Sequence, residues 1–202
     1  MAAVGLLRRL RHDAALEEAD LDLPGDGVVG GRWRSTHGVT IAAPPAAVWP
    51  WIVQLGHGRA GWYSLDALER LVGAGSFVDG GSARRVVPEL QHLAVGDVVP
   101  LSPSGGLTVL TLDAPHVLVL GMAMDVRTGG PARPGARPVL HWTWAFVLRE
   151  CAPGRTRLVV RVRVDDRPRW VRVVVAVLVE PVHLLMEGVM LRRLASRVEE
   201  AG

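Results

Sequence analysis

The sequence predicts an α+β fold in which one curved antiparallel β-sheet wraps around a long C-terminal α-helix. Three observations support this prediction: an early strand followed by short helical segments, a series of strand candidates joined by turns, and one long apolar helix near the end. Short links favour antiparallel pairing of consecutive strands. The last helix is the only element long enough to cover the apolar face of such a sheet. We therefore expect the interior to lie between the sheet and this helix.

The first strand is predicted over Arg34–Ile41, and two short helices should follow it. Pro44 and Pro45 mark the start of the first helix, and Pro50 should keep it short or kink it. Its expected buried stripe has the spacing i, i+3, i+4, i+7: Val48, Trp51, Ile52 and Leu55. After a glycine-rich turn, Ser64 is placed to cap a second short helix that ends near Leu71.

Five more strands are predicted, and they are expected to form a meander: Asp97–Leu101, Leu107–Leu112, Val117–Met122, Leu140–Arg149 and Thr156–Asp165. In the last of these, the apolar side chains of residues 158, 160, 162 and 164 alternate with those of Arg157, Arg161, Arg163 and Asp165, so one face should be wet. In the strand Leu140–Arg149 the bulky side chains of residues 142, 144, 146 and 148 share one face, and we expect the C-terminal helix to cover that face. Residues 125–138 are rich in Gly and Pro and are predicted to form a mobile flap.

The C-terminal helix is predicted from Pro168 to about Glu199. At 100° per residue its polar positions fall within one arc: Arg169, Arg172, Ala176, Glu180, His183 and Glu187. The apolar positions lie opposite: Val171, Val174, Leu178, Val182, Leu185 and Val189. The polar arc is assigned to solvent. Pro181 can kink the helix and shift this phase, which would turn polar groups towards the interior.

Composition excludes little and favours a protein of the cytoplasm. The chain has 202 residues and a formal charge of +3, and its basic side chains are all arginine, so the arginine count is poor evidence for nucleic acid. The single cysteine, Cys151, has no partner for a disulfide or a metal site. The first residues do not have the order of a secretion signal. The apolar stretch Val171–Leu191 is interrupted by charges, so no transmembrane segment is predicted.

The domain organisation is predicted as an N-terminal arm, residues 1–31, followed by one domain, residues 32–200. The arm changes from acidic to glycine-rich, which is typical of a leader or a surface loop. The rest is long enough to bury a substantial core.

Four segments resemble the START/Bet v 1-like superfamily, also called SRPBCC or polyketide cyclase/dehydrase-like proteins. They are IAAPPAAVWPWIVQLGHGRAGWYSLDALERL, RRVVPELQHLAVGDVVPL, GGLTVLTLDAP and LVEPVHLLMEGVMLRRL, and together they span roughly residues 34 to 199. The resemblance implies the helix-grip fold. It implies little about chemistry, because the superfamily includes lipid carriers, hormone receptors and aromatase/cyclases. It supplies no catalytic residues that could be carried over to this chain.

Short motifs in the sequence resemble cofactor or metal sites, but the segments around them do not fit such sites. Gly25, Gly27 and Gly30 spell GxGxxG, but a strand rather than a helix follows them. Glu180, His183 and Glu187 could form half of a di-iron site, but the sequence has no second copy of the motif. The remaining histidines that we considered, at positions 57, 116 and 141, are interpreted as surface or satisfied residues. No cofactor and no metal is predicted.

The favoured functional hypothesis is the binding of a hydrophobic or aromatic small molecule, lipid- or polyketide-like, in a cavity between the sheet and the C-terminal helix. The expected pocket residues are Trp51, Trp62, Tyr63, Trp142, Trp144, Phe146, Val174, Leu178 and Leu185. Three polar residues could lie at its rim: Arg59, His183 and Glu187. Arg59 could hold a ligand carboxylate or pair with Asp66.

Two alternatives remain open. The first is a cyclase- or dehydratase-like enzyme, with Tyr63, His183, Glu187 or Arg59 as the only titratable candidates. The second is a structural or regulatory protein in which the aromatic side chains simply fill the core.

Overall fold

The computed structural model describes residues 16–30, 33–64, 81–103, 105–128, 130–134, 136, 139–165 and 180–202. Its helices are α1 Leu16–Asp20, α2 Pro45–Val53 and α3 Glu180–Ala201, with a short 3-10 helix at Pro88–Leu90. Its strands are β1 Trp33–Ile41, β2 Val98–Ser102, β3 Gly105–Asp113, β4 Val117–Asp125, β5 Val139–Ala152 and β6 Arg155–Val164. The predicted second short helix beyond Ser64, and Val174 and Leu178 of the predicted C-terminal helix, lie outside the described residues.

The six strands form one sheet in the order β1-β6-β5-β4-β3-β2, and all neighbouring strands are antiparallel. This confirms the predicted meander and adds the pairing of β1 with β6. Register irregularities interrupt the β2–β3 and β3–β4 pairs, between Pro100 and Ser102 and between Val109 and Thr111. Such irregularities bend a sheet locally and increase its twist.

Helix α3 packs on the inner face of this sheet, which gives the helix-grip architecture. Side chains of its second half, including Leu191, Leu194 and Val198, join the main core cluster together with Ile41 and Leu158 of the sheet. Helix α2 adds the stripe predicted from its spacing, since Val48, Trp51, Ile52 and Leu55 are all buried. The second half of the α3–sheet interface is therefore a packed core.

The predicted phase of the C-terminal helix is wrong beyond Pro181. Leu185, expected to face the sheet, is 42% exposed, while its neighbour Leu184 is 3% exposed. Glu187, assigned to the solvent arc, is only 2% exposed. The buried positions Leu184, Leu191 and Val198 recur every seven residues and set the actual inward stripe. Within α3, the face assigned to solvent is therefore the face that packs against the sheet, and hydrogen-bond partners compensate the burial of Glu187 there.

The outer face of β6 is predicted from the sequence to be wet, but in the structure part of it is covered. Arg161 is 1% exposed, and it donates to the carbonyl oxygens of Glu18, Ala19 and Leu21 at 2.6–3.0 Å. It also donates to Asp26 Oδ2 at 2.6 Å. We call residues 18–30 the N-terminal segment. Its backbone satisfies a buried guanidinium, and a buried charge of this kind is tolerated only when it is paired and hydrogen-bonded.

Two further contacts hold the N-terminal segment on the sheet. Arg157 forms a bidentate ion pair with Glu18, with both nitrogen–oxygen distances at 2.7 Å. Leu23 is buried in a small cluster with Val147 and Val159. The segment therefore covers part of the outer sheet surface, opposite α3.

Among the described helices, none is both long and apolar enough to cross a bilayer.

Candidate functional site

The inner face of the sheet is packed at one end and partly open at the other. At the packed end, Ile41 and Leu158 are fully buried. At the other end, the strand register brings Trp33, Val164, Trp142 and Met122 into one row across β1, β6, β5 and β4. Of these four side chains only that of Val164 is buried. We call this row the open end of the inner face.

Next to the open end lies a cluster of aromatic side chains, which we call the aromatic wall and define as Trp62, Trp142, Trp144 and Phe146. Trp142 is partly exposed, and the other three are buried in the main core cluster. Trp62 stacks on Trp144 with ring centroids 5.1 Å apart and planes 17° apart. Trp142 and Phe146 lie on either side of Trp144 along β5, with ring centroids at 6.3 and 5.2 Å from it. These separations are within the range of favourable aromatic pairs.

Trp62 reaches the wall because of the turn that precedes it. Gly56 and Gly61 pair as an isolated antiparallel bridge, and both have positive φ angles, of 133° and 78°. Such angles are strained for most other residues. The glycine turn noted in the sequence therefore places one tryptophan from outside the sheet against another on β5.

Four side chains from three distant elements meet beside the wall, and we call them the polar cluster: His37 of β1, Trp144 of β5, and His183 and Glu187 of α3. The indole N–H of Trp144 donates to Glu187 Oε1 at 3.2 Å. His37 Nδ1 bonds to Glu187 Oε2, and His183 Nε2 lies 3.2 Å from the same oxygen. Because a carboxylate can only accept, His37 Nδ1 carries the proton in this arrangement.

The polar cluster keeps Glu187 ionised inside the protein. Burial acts to raise the pKa of its carboxyl group, but the charge of His183 and the hydrogen bonds from His183 and His37 outweigh it and hold this pKa below its usual value. The ring of His183 packs edge-on against Trp33 and Trp144, with centroid distances of 6.0 and 6.3 Å. A carboxylate and two imidazoles in a mostly aromatic setting can bind a polar group of a ligand or transfer a proton.

Two indole N–H groups of the aromatic wall find no acceptor in the part of the chain that the structure describes. The Nε1 atoms of Trp62 and Trp142 are buried, and neither has a hydrogen-bond partner among the described residues. Buried indole N–H groups usually have a partner, since leaving one without an acceptor costs about 1–3 kcal/mol. The wall therefore combines apolar area with donors that a bound molecule could satisfy.

Trp51, Tyr63 and Arg59, which the sequence placed at the pocket, are engaged in structural contacts. The Tyr63 hydroxyl accepts from Gln54 Nε2 at 2.6 Å and donates to the Trp51 carbonyl at 3.2 Å, and burial raises its pKa. Arg59 donates to the carbonyl oxygens of residues 53, 55 and 90 at 3.0–3.1 Å. The two partners suggested by the sequence for Arg59 were a ligand carboxylate and Asp66. The contacts in the structure are with main-chain carbonyl oxygens, and Asp66 lies outside the described residues.

A concavity of about 550 Å³ opens beside the second half of α3. It is lined by Arg84, Arg193, Ser196, Arg197, Glu200 and Ala201. This lining is polar, so the concavity is not the apolar cavity expected from the sequence. That cavity stays a prediction.

His37 was not among the site residues predicted from the sequence. The alternation along β1 could have indicated that the His37 side chain faces inward. His37 shares a face of the strand with Ser35, Val39 and Ile41, whereas the other face carries Arg34 and Thr36. Within the part of the chain that the structure describes, no group of three or more His, Cys, Asp or Glu side chains could hold a metal ion.

No family model and no curated protein sequence matches this chain. Among solved structures it is similar to protein MLL2253 from Mesorhizobium loti, at 15% identity over 84% of this chain and 99% of that one, with a TM-score of 0.44. The hypothetical protein jhp0584 from Helicobacter pylori matches at 11% identity over 87% and 94%, with a TM-score of 0.46.

The similar structures also include norcoclaurine synthase from Thalictrum flavum, at 14% identity over 85% of this chain and 95% of that one, with a TM-score of 0.41. Likeness at this level carries no argument about function, which has to be argued from the site itself.

Proposed function

We propose that this protein binds a hydrophobic or aromatic small molecule, lipid- or polyketide-like, against the aromatic wall, between the sheet and α3. The observation that carries the proposal is the change along the inner face. The second half of α3 fills the packed end, whereas at the open end Trp33 and Trp142 are only partly buried. Beside them lie the buried carboxylate of Glu187 and two indole N–H groups that have no acceptor among the described residues. In a core that is filled by its own side chains, buried N–H groups normally have hydrogen-bond partners.

The wall can supply affinity without a charged ligand. Apolar area removed from water stabilises a complex by about 25 cal/mol per Å², and stacking on aromatic rings adds about 0.5–1.5 kcal/mol for each pair. Membership in the SRPBCC superfamily, a domain spanning residues 32–200 and a cytoplasmic location belong to the same proposal. The helix-grip fold is consistent with the first of these.

Uptake of a hydrophobic fluorescent dye tests the proposal. Trp62→Ala and Trp142→Ala each remove one side of the wall and should weaken dye binding at least tenfold. Trp49→Ala is a matched control, because Trp49 is a partly buried tryptophan of α2 that is not part of the wall. Equal affinity in wild type and both wall variants would exclude the wall as the binding surface. Native mass spectrometry of the purified protein would show whether a ligand is retained.

The polar cluster favours a second candidate function, that of a cyclase- or dehydratase-like enzyme. Glu187 is ionised and contacts two imidazoles, and a carboxylate that orients an imidazole is a common arrangement for proton transfer. His37 now joins His183 and Glu187 as a candidate. Tyr63 and Arg59 are weaker candidates than the sequence suggested, because their polar atoms are used in structural hydrogen bonds.

Exchange of α-protons on a bound ketone tests this second candidate. The wild-type protein in D2O should speed deuterium incorporation at C1 of 2-tetralone, measured by proton NMR, and Glu187→Gln should remove most of that acceleration. Glu89→Gln is the matched control, because it makes the same substitution at an exposed glutamate on the 3-10 helix. If exchange in wild type equals that in buffer, the enzyme hypothesis loses its support.

A further inference from the structure

The aromatic wall presents three indole rings, and within the described ranges an acceptor is found for one of their N–H groups. Trp144 donates to Glu187, whereas the Nε1 atoms of Trp62 and Trp142 are buried without a partner among the described residues. Both of these rings lie against Trp144, on its stacked side and along β5. The unused donors therefore belong to one surface and are not scattered through the core.

We infer that the ligand is an aromatic molecule bearing carbonyl oxygens, and that at least one of these oxygens accepts a hydrogen bond from Trp62 or Trp142. The inference rests on the proposed binding function and names the chemical class of the ligand. An acceptor is required because both unused groups are donors, and an indole N–H can only donate. A hydrocarbon of the same shape would gain the stacking but would leave both donors unsatisfied.

The neighbouring charges favour a neutral acceptor over an acid. Glu187 is ionised and buried beside the same wall, with Trp144 shared between the wall and the polar cluster. The charge of His183 is already paired with this carboxylate, so a ligand carboxylate placed there would lose its hydration without gaining a free positive partner, which is unfavourable. A ketone or quinone oxygen accepts a hydrogen bond without that cost.

The experiment compares two probes with the same ring skeleton, 9-fluorenone and fluorene, by isothermal titration calorimetry on the full chain. The measured quantity is the ratio of the two dissociation constants, which cancels most of the effect of lost stacking area. In wild type, fluorenone should bind roughly tenfold more tightly, a difference that corresponds to about 1.4 kcal/mol.

Trp62→Phe and Trp142→Phe keep an aromatic ring and remove the N–H. In at least one of them the preference for fluorenone should fall to less than threefold, while fluorene still binds. Trp49→Phe is the matched control, since it makes the same substitution away from the wall, and it should keep the wild-type preference.

Failure of the acceptor inference can be distinguished from failure of the proposed binding function. If both probes bind wild type with equal affinity, or if the preference survives in both wall variants, the acceptor inference is overturned while the binding function stands. If neither probe binds wild type up to its solubility limit, the binding function is overturned and the inference with it.

Discussion

Replacing Glu187 with glutamine tests whether the polar cluster is held together by charge. The carboxylate contacts three nitrogen atoms, and its side chain is fully buried. Hydrogen bonds to a charged group contribute about 1.5–3 kcal/mol each, against about 0.5–1.5 kcal/mol for neutral ones. The oxygen of the amide can accept from the Trp144 N–H, and its NH2 group can donate to imidazole nitrogens, so the variant can keep the contacts and loses the negative charge.

From these differences we expect Glu187→Gln to lower the free energy of unfolding by about 1–3 kcal/mol at pH 7. Glu187→Ala, which leaves all three nitrogens without the acceptor, should lower it by about 3–5 kcal/mol. Both values come from urea denaturation followed by far-ultraviolet circular dichroism. Glu89→Gln, on the surface, should change the free energy of unfolding by less than about 0.5 kcal/mol.

The pH dependence separates a charged cluster from simple packing. The pKa of Glu187 is lowered in the folded state from a usual value of 4.5. Its stabilising effect is therefore fully present above that unfolded value and is lost as the pH falls through the folded one. The difference between wild type and Glu187→Gln should shrink below about pH 4.5. A difference that stays constant between pH 7 and pH 3 would refute the charged cluster.

Three further predictions concern the scaffold around the site. Arg161→Met should lower the free energy of unfolding by about 2–4 kcal/mol and make the N-terminal segment sensitive to limited chymotrypsin digestion; intact protection would contradict the role given to this guanidinium. Tyr63→Phe removes the hydroxyl that joins Gln54 to α2 and should cost about 1–2 kcal/mol in urea denaturation. Gly61→Ala should be destabilising by at least about 1 kcal/mol in thermal unfolding, since φ is +78° and the new Cβ would lie 2.7 Å from Ser82 Oγ.

The architecture could be predicted from the sequence because its strands have regular periods and short links. All five meander strands lie within a few residues of their predicted bounds, and the Trp142–Leu148 face was identified from alternation alone. The periods and the short links are local signals, so a single sequence carries them. The pairing of β1 with β6, which joins strands that are distant in sequence, was not predicted.

The site could be predicted only in part, because it depends on contacts between distant elements. His183 and Glu187 were identified as candidates, but they were assigned to the solvent face because charged side chains usually face water and their partners on β1 and β5 are distant in sequence. His37 was missed because nothing near it in sequence shows that a carboxylate from α3 will reach it. The burial of Arg161 was missed for a similar reason, since its partners are backbone carbonyls of the N-terminal segment.

The bond between His37 and Glu187 joins two residues that are 150 positions apart in the sequence. During synthesis all six strands leave the ribosome before α3 does, so the tryptophan-lined face of the sheet stays uncovered for a time. Bringing together such distant positions is slow, and uncovered aromatic area favours self-association in the meantime. Truncation within α3 should therefore reduce the yield of native protein more than its small share of the chain would imply.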